Sequence, residues 1–305
     1  MGSAAAPPSA AATLAARPRA MATIGAFTIA FSAILVRAAE VTPSTAAIFR
    51  CAYAVPVLWW LARREDRAYG ARPRHDRRLA AIAGLFFAAD LITWHHAIED
   101  VGAGLATVLA NVQVVLVPLA AWLALRERAD RRVVMILPLV MAGIVLISGV
   151  LEYGAYGDHP LRGAVFGLLT GISYAGFILV LRHGSSDLRR PAGPLFDATW
   201  VAALAALAAG VALGEADLAP SWPAHGYLVL LALTSQVVGW LLISASLPRL
   251  PAAMASLLLT VQPLGSVVLA MLIFGESPTT LQLGGAALVL AGLVLVTRRR
   301  PAPAG

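Results

Sequence analysis

Two stretches decide how this sequence is read: VQVVLVPLAAWLALRERADRRVVMILPLVMAGIVLIS at 112–148 and VQPLGSVVLAMLIFGESPTTLQLGGAALVLAGLVLVT at 261–297. Each is an apolar run, a short polar break with one glutamate (Glu127 or Glu276), and a second apolar run. They lie 149 residues apart and align without gaps. Over positions 103–146 that shift gives 14 identities in 44, among them Ala106/Ala255, Leu109/Leu258 and Gly143/Gly292. Alanine and leucine bias inflates such a number. It does not account for the polar matches Gln113/Gln262 and Glu127/Glu276. An internal repeat of this length is the first organising fact.

The apolar runs are not confined to these two stretches. Of 305 residues, 59% are hydrophobic and 13% charged, and the mean hydropathy is +0.79. Soluble domains carry roughly twice that share of charge, so a soluble enzyme, a disordered chain and a disulfide scaffold are all excluded. About 20 apolar residues cross a bilayer core as a helix. Ten such segments are expected, at about 21–39, 43–62, 79–98, 102–125, 133–151, 162–182, 194–213, 226–247, 251–274 and 280–297. Residues 1–20 are Ala/Pro/Ser-rich and are expected to form a disordered tail, with no apolar stretch ahead of Arg17 and Arg19 to make a signal peptide. The fold expected is an all-α integral membrane protein. Its two five-helix halves are residues 21–151 and 162–300.

Arginine placement sets the expected orientation. The net charge is +7, with no lysine in the chain. With the N-terminus inside, twenty arginines fall in inside segments, including seven between positions 63 and 78. Outside loops hold only Arg162, and are otherwise acidic: Glu40, Glu99, Asp100, Glu152, Asp158, Glu215, Asp217 and Glu276. This is the positive-inside pattern and places both termini in the cytoplasm of a multi-pass cell-membrane protein. Arginines in short runs between apolar stretches report topology rather than nucleic-acid binding. Five spans per half is an odd number, so the second half must be inverted. Inverted halves with a site between them are a secondary-transporter architecture.

The chain resembles the EamA-type ten-span transporters of the drug/metabolite transporter superfamily. The resemblance rests on the Phe49-Arg50 pair and on LALRERADRR at 123–132 and LIFGESPTTLQLGG at 272–285, each followed by AGIVLIS or AGLVLVT. It covers about residues 21–300. The first half departs from the second in having Val114 and Met135 where the second has Pro263 and Gly284. The resemblance implies secondary-active export of an amino acid, a related metabolite or a drug-like compound, driven by a gradient or by exchange. An importer of a small metabolite on the same fold is the alternative. No phosphate-binding loop of the G-x-x-x-x-G-K-[ST] kind is present, no nucleophile–base set has workable spacing, and no cofactor or metal is expected.

Ionisable groups inside a membrane are functional candidates by default. At about 1.5 Å per residue, Arg50, Asp90 and Asn111 each sit roughly 10–13 Å below the outer boundary. Arg50 and Asp90 are expected to face each other, either as a structural ion pair or as a site in which Arg50 takes a carboxylate and Asp90 an amine or a coupling proton. Trp94, one turn from Asp90, joins the candidate substrate-binding set. Tyr174, Gln236, Trp240 and Gln262 complete it from the second half, with Tyr174, Gln236 and Gln262 roughly 15–18 Å deep. The adjacent His95 and His96 diverge by about 100° on a helix and so do not suit one metal ion. Gly163, Gly167 and Gly171 form a small-residue face suited to close helix packing. Glu127 and Glu276 read as caps at span ends.

Overall fold

In a hydrocarbon layer the backbone must satisfy its own hydrogen bonds, and a helix does this within one segment. The computed structural model describes residues 17–125, 131–185, 187, 189–219, 221–246 and 261–297, and all regular structure among them is helical. The helices are α1 (Pro18–Ala39), α2 (Pro43–Tyr69), α3 (Arg74–Val101), α4 (Ala103–Ala110), α5 (Gln113–Leu125), α6 (Arg131–Ile147), α7 (Pro160–His183), α8 (Ala192–Leu213), α9 (Ala224–Ser246), α10 (Val261–Phe274) and α11 (Thr280–Thr297). Six of them (α1, α2, α3, α7, α8 and α9) are long and apolar enough to cross a membrane. The remaining apolar helices are shorter. α1 begins at Pro18, inside the stretch read as tail; residues 1–16 and Glu127 lie outside the described residues.

Local chemistry places the ends. Pro18, Pro43 and Pro160 open α1, α2 and α7, where a missing N–H costs nothing. Thr42 caps α2 by accepting from the Thr45 amide at 3.3 Å. A single residue, Gly102 at φ +85°, turns the chain from α3 into α4. A Cβ there would lie 2.8 Å from the Glu276 carboxyl, so the position demands glycine twice over.

Two expected spans are not uniform helices. The 102–125 run breaks at Asn111 and Val112, where the amides of both bond three residues back, Asn111 to Val108 and Val112 to Leu109. Asn111 Nδ2 also donates to the Thr107 carbonyl at 2.8 Å, a side-chain bond that competes with the helix. Residues Ala232–Gly239 within α9 are π-helical, and this stretch carries Gln236.

The packing follows the repeat. α2 packs on α8, α5 and α4 on α7, α1 on α10, and α6 on α11; α3 packs on α7, and α1 on α9. Exchanging the halves maps each of these pairings onto another pairing or onto itself. Gly163, Gly167 and Gly171 permit the α7 contact: a Cβ at each would lie 2.8 Å from Val101, 2.5 Å from Leu109 and 2.4 Å from Val112. The spacing of small residues read in the sequence therefore serves helix approach.

Candidate functional site

Between the halves lies a cavity of about 380 Å³. Arg50, Asp90, Trp94, Asn111, Tyr174, Trp240 and Gln262 line it, seven of the eight candidates drawn from the sequence. Gln113, the repeat mate of Gln262, lines it too. The eighth, Gln236, stands behind the wall and holds Arg50. Its Oε1 accepts from Arg50 Nε at 3.0 Å, and its Nε2 donates to Thr199 Oγ1 at 3.2 Å.

Arg50 is 3% exposed. A buried guanidinium needs its donors satisfied. Nη1 donates to Ser32 Oγ at 3.1 Å, and Cζ lies 5.7 Å from the Trp94 ring centroid. Nη2 makes no hydrogen bond among the described residues. Arg50 and Asp90 line the same cavity, but of the two arrangements open to them the direct ion pair is not formed: no salt bridge or hydrogen bond closes on the Asp90 carboxylate among the described residues. The reason is geometric, because Gln236 and Ser32 turn the guanidinium toward α9 and α1. Asp90, 6% exposed, instead opens on the cavity. The Trp94 indole N–H is likewise buried without an acceptor.

An aromatic wall flanks this polar patch. Phe87 stacks on Phe177 with centroids 4.6 Å apart, and Trp240 meets Phe177 edge-on at 5.6 Å. Tyr174 lies 6.0 Å from Trp240. Phe87, Ser32, Thr107, Thr170 and Thr199 were missed in the sequence. Two of them had a signal. Phe87, Asp90 and Trp94 lie on one helical stripe at i−3 and i+4. Ser32 and Arg50 are each nine residues from Val41 (41 − 32 and 50 − 41), so an antiparallel α1–α2 hairpin sets them level. Thr199 had none, since only packing brings α8 behind α9.

The ends of the bundle are clasped by carboxylates on helix N-termini. At the acidic end, Glu276 accepts from the amides of Ala103 at 2.7 Å and Gly104 at 3.2 Å, and pairs with Arg37. Arg162 donates from Nε to both oxygens of Asp100, at 3.0 and 2.8 Å. His95 is buried, its Nδ1 3.0 Å from the Pro43 carbonyl, while His96 meets Glu215 at 3.4 Å, so the two histidines serve different neighbours. Among the described residues no cluster of three metal-ligating side chains occurs.

α2 and α8 clasp each other reciprocally. At the arginine end Glu65, just inside the C-terminus of α2, accepts from the amides of Ala192 at 2.9 Å and Gly193 at 2.8 Å, which open α8. At the acidic end Glu215, just past α8, accepts from Ser44 Oγ at 2.6 Å at the start of α2. Ser44 and Gly193 are themselves repeat mates, 149 positions apart.

An all-helical membrane bundle in two similar halves, with a partly polar cavity between them, is the form of a transporter. The chain belongs to the EamA-like transporter family, whose model matches residues 19–149 and 161–298. An uncharacterized transporter from Archaeoglobus fulgidus is 26% identical over 232 residues, covering 74% of this chain and 78% of that one. A protein of known crystal structure superposes with a TM-score of 0.60 at 14% identity, over 92% of this chain and 96% of the other, which shows the common fold.

Proposed function

We propose that the chain is a secondary-active transporter that exports a small organic metabolite across the cell membrane by alternating access. In this reading ten spans form two inverted halves, residues 21–151 and 162–300, with both termini in the cytoplasm. The substrate sits between the halves, touching Arg50, Asp90, Trp94, Asn111, Tyr174, Trp240 and Gln262, with Gln236 as the residue that positions Arg50. A proton on Asp90 is the coupling ion this arrangement favours.

One observation carries the proposal: among the described residues the cavity presents a carboxylate without a protein partner, the free edge of a held guanidinium and an unpaired indole N–H beside an aromatic wall. A molecule with both an anionic and a cationic group and an apolar body, such as an amino acid, satisfies all of them at once. The amphoteric ends would be charge-assisted, the strong class of hydrogen bond. Burying Asp90 and Arg50 without an ion pair is expensive, and such cost persists where function requires it.

The test is comparative metabolite profiling of cells and medium with wild type, Arg50→Ala and Asp90→Asn, each checked for correct insertion. A compound enriched in the medium only with wild type identifies the substrate and the direction. Enrichment inside the cell reverses the direction to import. Equal profiles for wild type and both variants would remove the cavity from the proposal.

A further inference from the structure

A second cavity, of about 630 Å³, lies at the arginine end between α2, α8 and the 70–73 connection, away from the central site. Its walls carry Arg63, Arg67, Arg72 and Arg77, with the indoles of Trp59 and Trp200 on its flank. We propose that this groove binds the headgroup of an anionic phospholipid. The phosphodiester lies against the arginines, and the glycerol and upper acyl chain run along the two tryptophans.

Charge comes first. Four arginines face two aspartates, Asp66 and Asp197, leaving the groove at +2. Asp197 is already engaged, accepting from Arg72 Nη2 at 2.6 Å with Arg77 Nε at 3.7 Å, and Asp66 sits 4.0 Å from Arg190. Arg63 and Arg67 form no ion pair among the described residues. A smaller cavity of about 240 Å³ shares Arg77, Asp197 and Trp200 and adds Arg74 and Arg78, so the positive groove continues along α3.

The second observation is independent of net charge. Arg72 has a side chain 9% exposed, and its Nη1 is buried without a hydrogen-bond partner. A buried cationic donor left without an acceptor is costly, and a phosphate oxygen accepts from a planar guanidinium in the required geometry. The third concerns depth. Trp59 and Trp200 are 47% and 38% exposed on the outside of the bundle, and exposed tryptophans on membrane helices sit at the headgroup level. Arg63 folds over Trp59 with Cζ 5.4 Å from the ring, which keeps a charge at the same level. Basic pockets between helices at this level are where anionic headgroups bind. A free phosphate would use the arginines but gain nothing from the indoles.

The full chain, purified and delipidated, would be placed in phosphatidylcholine nanodiscs with increasing phosphatidylglycerol, with retained lipid counted by native mass spectrometry and melting followed in parallel. Wild type should retain phosphatidylglycerol over phosphatidylcholine and melt higher in its presence. Arg63→Gln and Arg67→Gln should each weaken retention about fivefold, the effect of one basic residue near a charged surface. Arg19→Gln, an exposed charge outside the groove, should leave retention unchanged. Arg72→Gln also breaks the Asp197 pair, so the exposed arginines carry the test. Equal retention of the two lipids, or retention unaffected by Arg63→Gln and Arg67→Gln, overturns the proposal. Displacement of the lipid by inorganic phosphate assigns the groove to soluble anions and overturns it too.

Discussion

Arg50 shows how one buried charge is made tolerable without being neutralised. Gln236 and Ser32 take two of its nitrogens, and the Trp94 face lies beside the guanidinium carbon. This leaves Asp90 free of a cation at hydrogen-bond range among the described residues. Gln236 is fully buried, so Gln236→Leu strands both Arg50 Nε and Thr199 Oγ1. Each buried polar group left without its partner, the Arg50 donor or the Thr199 acceptor, costs about 1–3 kcal/mol. Gln236→Leu should therefore melt lower than wild type and lose transport, whereas Gln236→Glu, which keeps an acceptor on Nε, should recover stability. Differential scanning fluorimetry on the purified variants checks this, and a Gln236→Leu protein as stable as wild type would remove the amide from the account. In the sequence, Arg50, Asp90 and Gln236 were each legible as intramembrane polar groups. Their partners were not. Depth counting along a helix gives height but not azimuth, and azimuth decides that Arg50 turns to Gln236.

At the scale of elements, what matters is how closely α7 approaches α3 and α4. Gly163, Gly167 and Gly171 lie one helical turn apart, and each meets a side chain of the opposing helices. A methyl group at Gly167 would stand 2.5 Å from Leu109 Cβ, a distance at which something must shift. Leu109 is fully buried and has no open side to move toward. Gly167→Ala should cost about 1–3 kcal/mol, the usual toll of overpacking, read as a lowered melting temperature; Gly284→Ala, which meets open space, should be neutral. A neutral Gly167→Ala would mean that α7 is free to move away. The small-residue stripe was legible because its spacing equals one turn. The break at Asn111 and the π-helical stretch around Gln236 were not, since hydropathy is blind to a shift in hydrogen-bond register inside an apolar run. Irregular backbone at this depth is tolerated where it faces a cavity rather than lipid, and Asn111 lines one.

For the whole molecule, the clasps at the two ends of the bundle are the contacts that the proposed alternating access would have to break. Glu276 joins α1, through Arg37, to the N-terminus of α4 at the acidic end. A carboxylate at a helix N-terminus gains from the helix dipole, and Glu276→Gln removes that charge while keeping the side chain's shape. In a Cys51→Ala background, Thr107→Cys reports access to the cavity. A membrane-impermeant maleimide added from the acidic side should label Thr107→Cys faster when Glu276→Gln is also present. Unchanged labelling would show that this clasp does not limit opening. The reciprocal Glu65 and Glu215 contacts tie α2 and α8 at opposite ends. They are the counterparts to test next in the same assay.

The sequence alone determined that this is a helical membrane protein in two similar halves, and seven of the eight site candidates it named line the cavity. Those properties are written in hydropathy, in arginine placement and in a 149-residue shift, all of which are one-dimensional. Only the tertiary structure decided that Arg50 and Asp90 share a cavity without a direct ion pair among the described residues, that Gln236 serves Arg50 from behind, and that Glu276 caps α4 across 173 positions of chain. Each of these depends on which face of one helix meets another. That is set by the packing of small and large side chains summed over the whole bundle, and no local pattern records it.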